Sequence, residues 1–117
     1  IANGETVFPA LQAAAQLREA GIKATVVSMH TIKPLDTALI SKLAELCKAI
    51  ITVEEHSVNG GLGEACASFL LQQGYTKKFK IMGIPDEYTV TGSQVEIFNH
   101  YGISEEGIAE EVRELLK

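Results

Sequence analysis

The chain has 117 residues, the size of one domain and enough to bury a single core. With 46% hydrophobic and 21% charged residues it has ordinary globular proportions, which excludes disordered, collagen-like and fibrous classes. A formal charge of -5 repels polyanions, and no apolar run approaches the roughly 20 residues of a bilayer span, so neither nucleic acid nor a membrane is an expected partner. No basic segment followed by an apolar stretch opens the chain as a signal peptide would, and a cytoplasmic address is the default expectation.

The chain opens on Ile1, in what reads as the middle of an apolar strand, so a fragment of a longer polypeptide is expected. Over residues 5–20, Phe8, Leu11, Ala14, Ala15 and Leu17 recur at helical spacing, and Gly21 supplies a stop. Residues 22–29 carry the short β-branched run of Ala24, Val26 and Val27 and read as a buried strand. Pro34 breaks the chain, after which Asp36 is placed to cap a helix with Leu39, Ile40, Leu43 and Leu46 on its apolar face.

Another apolar strand over 49–53 is followed by Glu54, Glu55 and His56 and then by a loop of Asn59, Gly60 and Gly61. Residues 62–73 form the next helical pattern, with Ala65, Phe69 and Leu70 on one side and Gly74 closing it. Residues 79–82 read as a strand and 85–92 as irregular. Ser93 and Glu96 have capping-box spacing before a short helix to Tyr101. Ser104 can cap a last helix on which Ile108, Val112, Leu115 and Leu116 share a face. Cys47 and Cys66 fall in helical, Ala- and Leu-rich surroundings that suit small buried thiols rather than a disulfide or a metal site.

Strands alternating with helices predict one domain, 1–117, folded as a three-layer α/β/α sandwich on a mainly parallel sheet of four to five strands. Loops at the carboxyl ends of such strands face the functional crevice. Here they hold Asn3, Gly4 and Glu5, then residues 30–34 beginning at His30, then residues 54–61.

The segment from Glu54 to Glu64 is the richest. Gly60 and Gly61 before a helix start would let backbone N–H groups cradle an anion, which makes a free-standing anion- or nucleotide-binding module one reading. The spacing is not GxGxxG, however, and Glu64 in the first turn already complements the helix dipole, so a tight packing turn is preferred. Glu54, Glu55 and His56 could form a base with a proton relay, but adjacent strand residues point to opposite faces, which favours a structural or contact role. His30, His56 and His100 lack the spacing of a metal site, and no GxSxG nucleophile elbow is present.

The run Val26-Val27-Ser28-Met29-His30-Thr31-Ile32-Lys33-Pro34-Leu35-Asp36 resembles the second strand and loop of transketolase C-terminal domains. So do Ala2-Asn3-Gly4-Glu5, Thr52-Val53-Glu54-Glu55-His56 with Gly60-Gly61-Leu62-Gly63-Glu64, Gly83-Ile84-Pro85-Asp86, and Tyr101-Gly102-Ile103-Ser104. The resemblance spans essentially the whole chain and extends to the last domains of deoxyxylulose-phosphate synthases and 2-oxo-acid dehydrogenase β subunits. It implies a parent enzyme that moves two-carbon ketol units between sugar phosphates, as in the pentose phosphate pathway, with thiamine diphosphate and Mg. Those are held by preceding pyrimidine- and diphosphate-binding domains or a partner subunit.

This last domain is then expected to stabilise a homodimer or heterotetramer and to border the active-site entrance. The GDG motif with its metal-holding Asn is absent, so no catalytic, cofactor or metal residue carries over. Position alone carries over, placing Asn3, Gly4, Glu5, His30, Glu54, Glu55, His56, Gly60 and Gly61 at domain or subunit contacts. The resemblance also implies a sheet that begins before Ile1.

Overall fold

A computed structural model describes residues 1–85, 87 and 91–117. Residues 86 and 88–90, within the expected irregular stretch, lie outside the described residues, as does the Asp86 of the resemblance. A 3-10 turn, Gly4–Thr6, leads into α1 (Val7–Glu19), followed by α2 (Thr37–Leu46), β1 (Ala49–Ser57), α3 (Leu62–Gln72), β2 (Lys78–Ile84), α4 (Gln94–His100) and α5 (Glu105–Leu116). The expected caps are made. Asp36 accepts from the Leu39 amide at 3.1 Å, Ser93 from the Glu96 amide at 3.3 Å, and Ser104 from the Gly107 amide at 3.1 Å. Each satisfies a helix-start donor and contributes about 1 kcal/mol.

β1 and β2 pair in parallel from Ala49–Lys78 to Val53–Met82, lose register, and meet again at Ser57–Ile84. On the other edge of β1, Ala2 makes one parallel bridge to Val53 and, on its far side, one to Ser28. Residues 22–29 were expected as a strand, and the structure corrects this. The segment alternates like one, Ile22, Ala24 and Val26 packing into one core and Val27 and Met29 into the other, yet it joins a ladder only at Ser28. Alternating burial needs a layer on each face, whereas a ladder needs a paired residue at every rung, and Ala2 supplies one rung. The expected four to five strands are therefore a two-stranded parallel ladder extended by single bridges, ordered 22–29, Ala2, β1, β2.

Two cores flank this layer. Ala10, Ala13 and Leu17 of α1, Phe98 of α4, and Ile108 and Ala109 of α5 cover Val53 and Met82. Ile40 and Ala44 of α2 and Leu62, Cys66 and Leu70 of α3 cover Ile50 from the opposite side. The α/β/α layering is as the sequence predicts. The face chosen by α1 is not. Phe8 and Leu11 remain 66% and 52% exposed, while the smaller Ala10 and Ala13 are buried. Both sides of α1 are apolar, so spacing could not choose, and the alanine side permits the closer approach to α5 and the sheet.

Candidate functional site

β1 runs past its expected end, so Glu54, Glu55 and His56 lie within the strand rather than after it. Side chains alternate along a strand, and the two glutamates consequently serve opposite layers. Glu54 is 1% exposed. Its carboxylate accepts from the amides of Leu62 at 3.0 Å and Gly63 at 2.9 Å, the first turn of α3. Burying an ionised carboxylate is costly unless donors replace its water, and two helix-start N–H groups backed by the helix dipole provide that compensation.

The glycines before α3 make this geometry accessible. Gly60 adopts φ +73°, a region where a Cβ is penalised. At Gly61 the space of a Cβ is filled by the Glu54 carboxylate, with the Ser57 carbonyl 3.1 Å away. The Gly60 amide donates to Glu64. The donors that an external anion would need are thus engaged by the chain's own carboxylates, and the segment is the packing turn preferred from its sequence.

Glu55 faces the other layer and is half-buried. Its carboxylate accepts from the Glu5 amide at 3.4 Å and from Gln94 Nε2 at 3.5 Å. It also fills the space beside Gly4, where a Cβ would stand. Thr6, fully buried, ties this turn to β1: its Oγ1 lies 2.6 Å from the Asn3 carbonyl and 2.9 Å from that of Val53, one proton shared between two acceptors. Sequence reasoning missed Thr6 and Gln94. The three-residue spacing of Asn3 and Thr6, with the Asn3 amide donating to Thr6 Oγ1 at 3.2 Å, was the signal available for the first.

The expected residues therefore gather into two groups, Gly4, Glu5 and Glu55 in one and Glu54, Gly60 and Gly61 in the other. Asn3 links the first group to β1 by donating to the Val53 carbonyl at 3.3 Å. His30 and His56 are exposed and make no side-chain hydrogen bond among the described residues. Facing opposite layers, Glu54 and Glu55 cannot share a proton, which removes the relay reading. Among the described residues no three His, Cys, Asp or Glu side chains converge as a metal would require. With the α3 amides occupied by Glu54, these residues do not fit a diphosphate and its metal. Burial pushes the Cys66 thiol up to about 11. Both cysteines are free thiols.

A glycine-hinged helix start closed by an internal carboxylate, on a parallel layer between two helical layers, defines an α/β/α domain. The family model for the transketolase C-terminal domain matches residues 1–108, and the chain belongs to that family. It is 49% identical over 117 residues to one of the subunits of the apulose-4-phosphate transketolase of Phocaeicola vulgatus, covering 100% of this chain and 37% of that protein. It is 44% identical to the 1-deoxy-D-xylulose-5-phosphate synthase of Syntrophus aciditrophicus, covering 99% of this chain and 18% of that one. A solved structure described as a split gene transketolase, inactive beta4 tetramer, superposes with a TM-score of 0.85 at 33% identity over 98% of this chain and 37% of its own. The chain thus spans well under half the length of these relatives.

Proposed function

We propose that this chain is the C-terminal assembly domain of a cytoplasmic transketolase-type enzyme, one that transfers two-carbon ketol units between sugar phosphates with thiamine diphosphate and Mg. Neighbouring pyrimidine- and diphosphate-binding domains or a partner subunit hold the cofactor. The family membership and the subunit and split-gene character of the relatives support this reading. Among the described residues no helix is long and apolar enough to cross a membrane. The observation that carries the assembly role is the engagement of Leu62 and Gly63 amides by Glu54, which makes the glycine turn a packing element instead of a ligand cradle. The Gly4–Thr6 turn with Glu55, at the carboxyl end of β1, is the surface that meets a neighbouring domain or subunit.

A coupled ketol-transfer assay with thiamine diphosphate and Mg tests this. The chain alone gives no turnover, and adding the cofactor-binding domains restores it; turnover by the chain alone would sink the assignment. Saturable binding of phosphate or nucleotides to the chain alone would instead support the anion-binding module.

A further inference from the structure

The chain has three asparagines, Asn3, Asn59 and Asn99, and two of them precede glycine. An Asn-Gly pair carries its own nucleophile and electrophile. The glycine amide nitrogen can attack the side-chain carbonyl carbon of the asparagine before it, because glycine has no side chain to hinder the approach. The fold treats the two pairs differently.

Asn3-Gly4 is closed. The Asn3 backbone carbonyl accepts from the Thr6 amide at 3.1 Å and from Thr6 Oγ1 at 2.6 Å, and the Asn3 amide donates to the Val53 carbonyl at 3.3 Å and to Thr6 Oγ1 at 3.2 Å. Asn3 Oδ1 is buried, and the Glu55 carboxylate fills the space beside Gly4. Turning the Asn3–Gly4 peptide until the Gly4 nitrogen meets the side chain would break these bonds. Asn99 lies within α4, where the helical hydrogen bonds restrain the peptide in the same way.

Asn59-Gly60 is open. Both residues are exposed in the turn between β1 and α3, and no atom lies within 4 Å of the place where a Gly60 Cβ would stand. The Asn59 amide donates to Ser57 Oγ at 3.2 Å, and Asn59 makes no other hydrogen bond among the described residues. The Gly60 amide, the attacking group, donates to the Glu64 carboxylate. A backbone carbonyl in that place would only hold the N–H, whereas a carboxylate can also take its proton.

We propose that Asn59-Gly60 is a self-modification site, at which Asn59 converts to aspartyl and isoaspartyl forms with Glu64 as the proton acceptor. The Gly60 nitrogen bonds to Asn59 Cγ, and its proton, made acidic by that bond, passes to Glu64. Collapse of the tetrahedral centre breaks the Cγ–Nδ2 bond, and Nδ2 leaves as ammonia with the proton that Glu64 returns. Water then opens the cyclic imide at either carbonyl, giving aspartate or isoaspartate without an oxidant or cofactor. Each product adds a negative charge. The isoaspartyl form also lengthens, by a methylene, the main chain of the turn that brings Gly61 against Glu54.

The test ages the 117-residue chain in neutral buffer and follows each asparagine by mass spectrometry, with electron-transfer fragmentation to distinguish isoaspartate. Asn59 should convert at least about tenfold faster than Asn3 in the folded chain, and the two rates should agree within about threefold in urea. Glu64→Gln keeps a hydrogen-bond acceptor beside Gly60 but removes the base, and should slow Asn59 at least about tenfold while leaving Asn3 unchanged. Glu64→Asp retains the charge at the start of α3 with a shorter reach, and should slow Asn59 as well, so that the effect follows the proton acceptor and not the helix dipole. Folded-state conversion of Asn3 as fast as that of Asn59, or a tenfold difference that persists in urea, would overturn the proposal. So would a Glu64→Gln rate at or above that of the parent chain, which would mean that the bond to Glu64 merely restrains the amide, or slowing in Glu64→Gln alone, which would assign the effect to charge.

Discussion

Glu54 and Glu55 are neighbours of identical chemistry with opposite fates. Glu54 turns toward the α2–α3 layer, is buried, and holds the start of α3. Glu55 turns toward the Gly4–Thr6 turn and α4, remains half-buried, and makes only long contacts at 3.4 and 3.5 Å. The strand's two-residue period makes the difference: one step along the backbone moves a carboxylate from a dry helix terminus to a wet rim. One glutamate is engaged within the fold and the other stands at its rim, which is why the proposed contact role is placed on Glu55.

The comparison can be broken most forcefully at Glu54. Glu54→Gln keeps the size but removes the charge and one acceptor, leaving a helix-start N–H facing an amide; a loss of about 2–3 kcal/mol is expected, measured by urea unfolding. A change below about 0.5 kcal/mol would mean that the buried carboxylate is not holding α3. Gly61→Ala should follow, at about 2 kcal/mol, because the new methyl occupies the space of the Glu54 carboxylate. Gly60→Ala should cost less, about 1 kcal/mol, since its φ of +73° is strained for alanine but open space surrounds it. Thermal melts of both glycine variants should be insensitive to added phosphate, and stabilisation by phosphate seen only in the parent chain would restore a ligand role to this turn.

Glu55→Gln should change stability by less than about 0.5 kcal/mol, as expected for an exposed polar network. Its effect should appear in sedimentation, as weaker association with the partner domains, and normal assembly would remove the contact role.

The smallest effect near neutral pH concerns Cys66, whose buried thiol keeps its proton in the folded and the unfolded chain alike. Its folded pKa of about 11 lies above the ordinary thiol value of 9.0, so between those limits the unfolded state releases a proton that the folded state retains. Stability should therefore fall as pH rises from 9 to about 11, and Cys66→Ser should flatten that slope. At pH 8, a thiol reagent should modify Cys47, which is only partly buried, well before Cys66.

Most of the layering was legible in the residues. The Asp36, Ser93 and Ser104 caps, the helical spacings and the two-sided apolar runs are local properties, fixed within a few bonds of each residue and so visible in the chain itself. The same holds for the turn at Gly60 and Gly61, because a strand and a helix joined that tightly need glycine whatever surrounds them.

Two features were decided only by the tertiary structure, and a third was decided by it in part. Whether residues 22–29 become a strand depends on a hydrogen-bonding neighbour that no pattern in the segment itself specifies. Whether α1 buries Phe8 or Ala13 depends on how closely α5 and the sheet approach, since both faces are apolar. That Glu54 closes the helix start while Glu55 meets the Gly4 turn was half visible: the sequence determined that the two must diverge, and the fold determined what each would meet. The physical reason is common to all three. Backbone propensity and side-chain period act over a few residues, whereas partners, helix faces and the destination of a buried charge are settled by contacts between segments far apart in the chain.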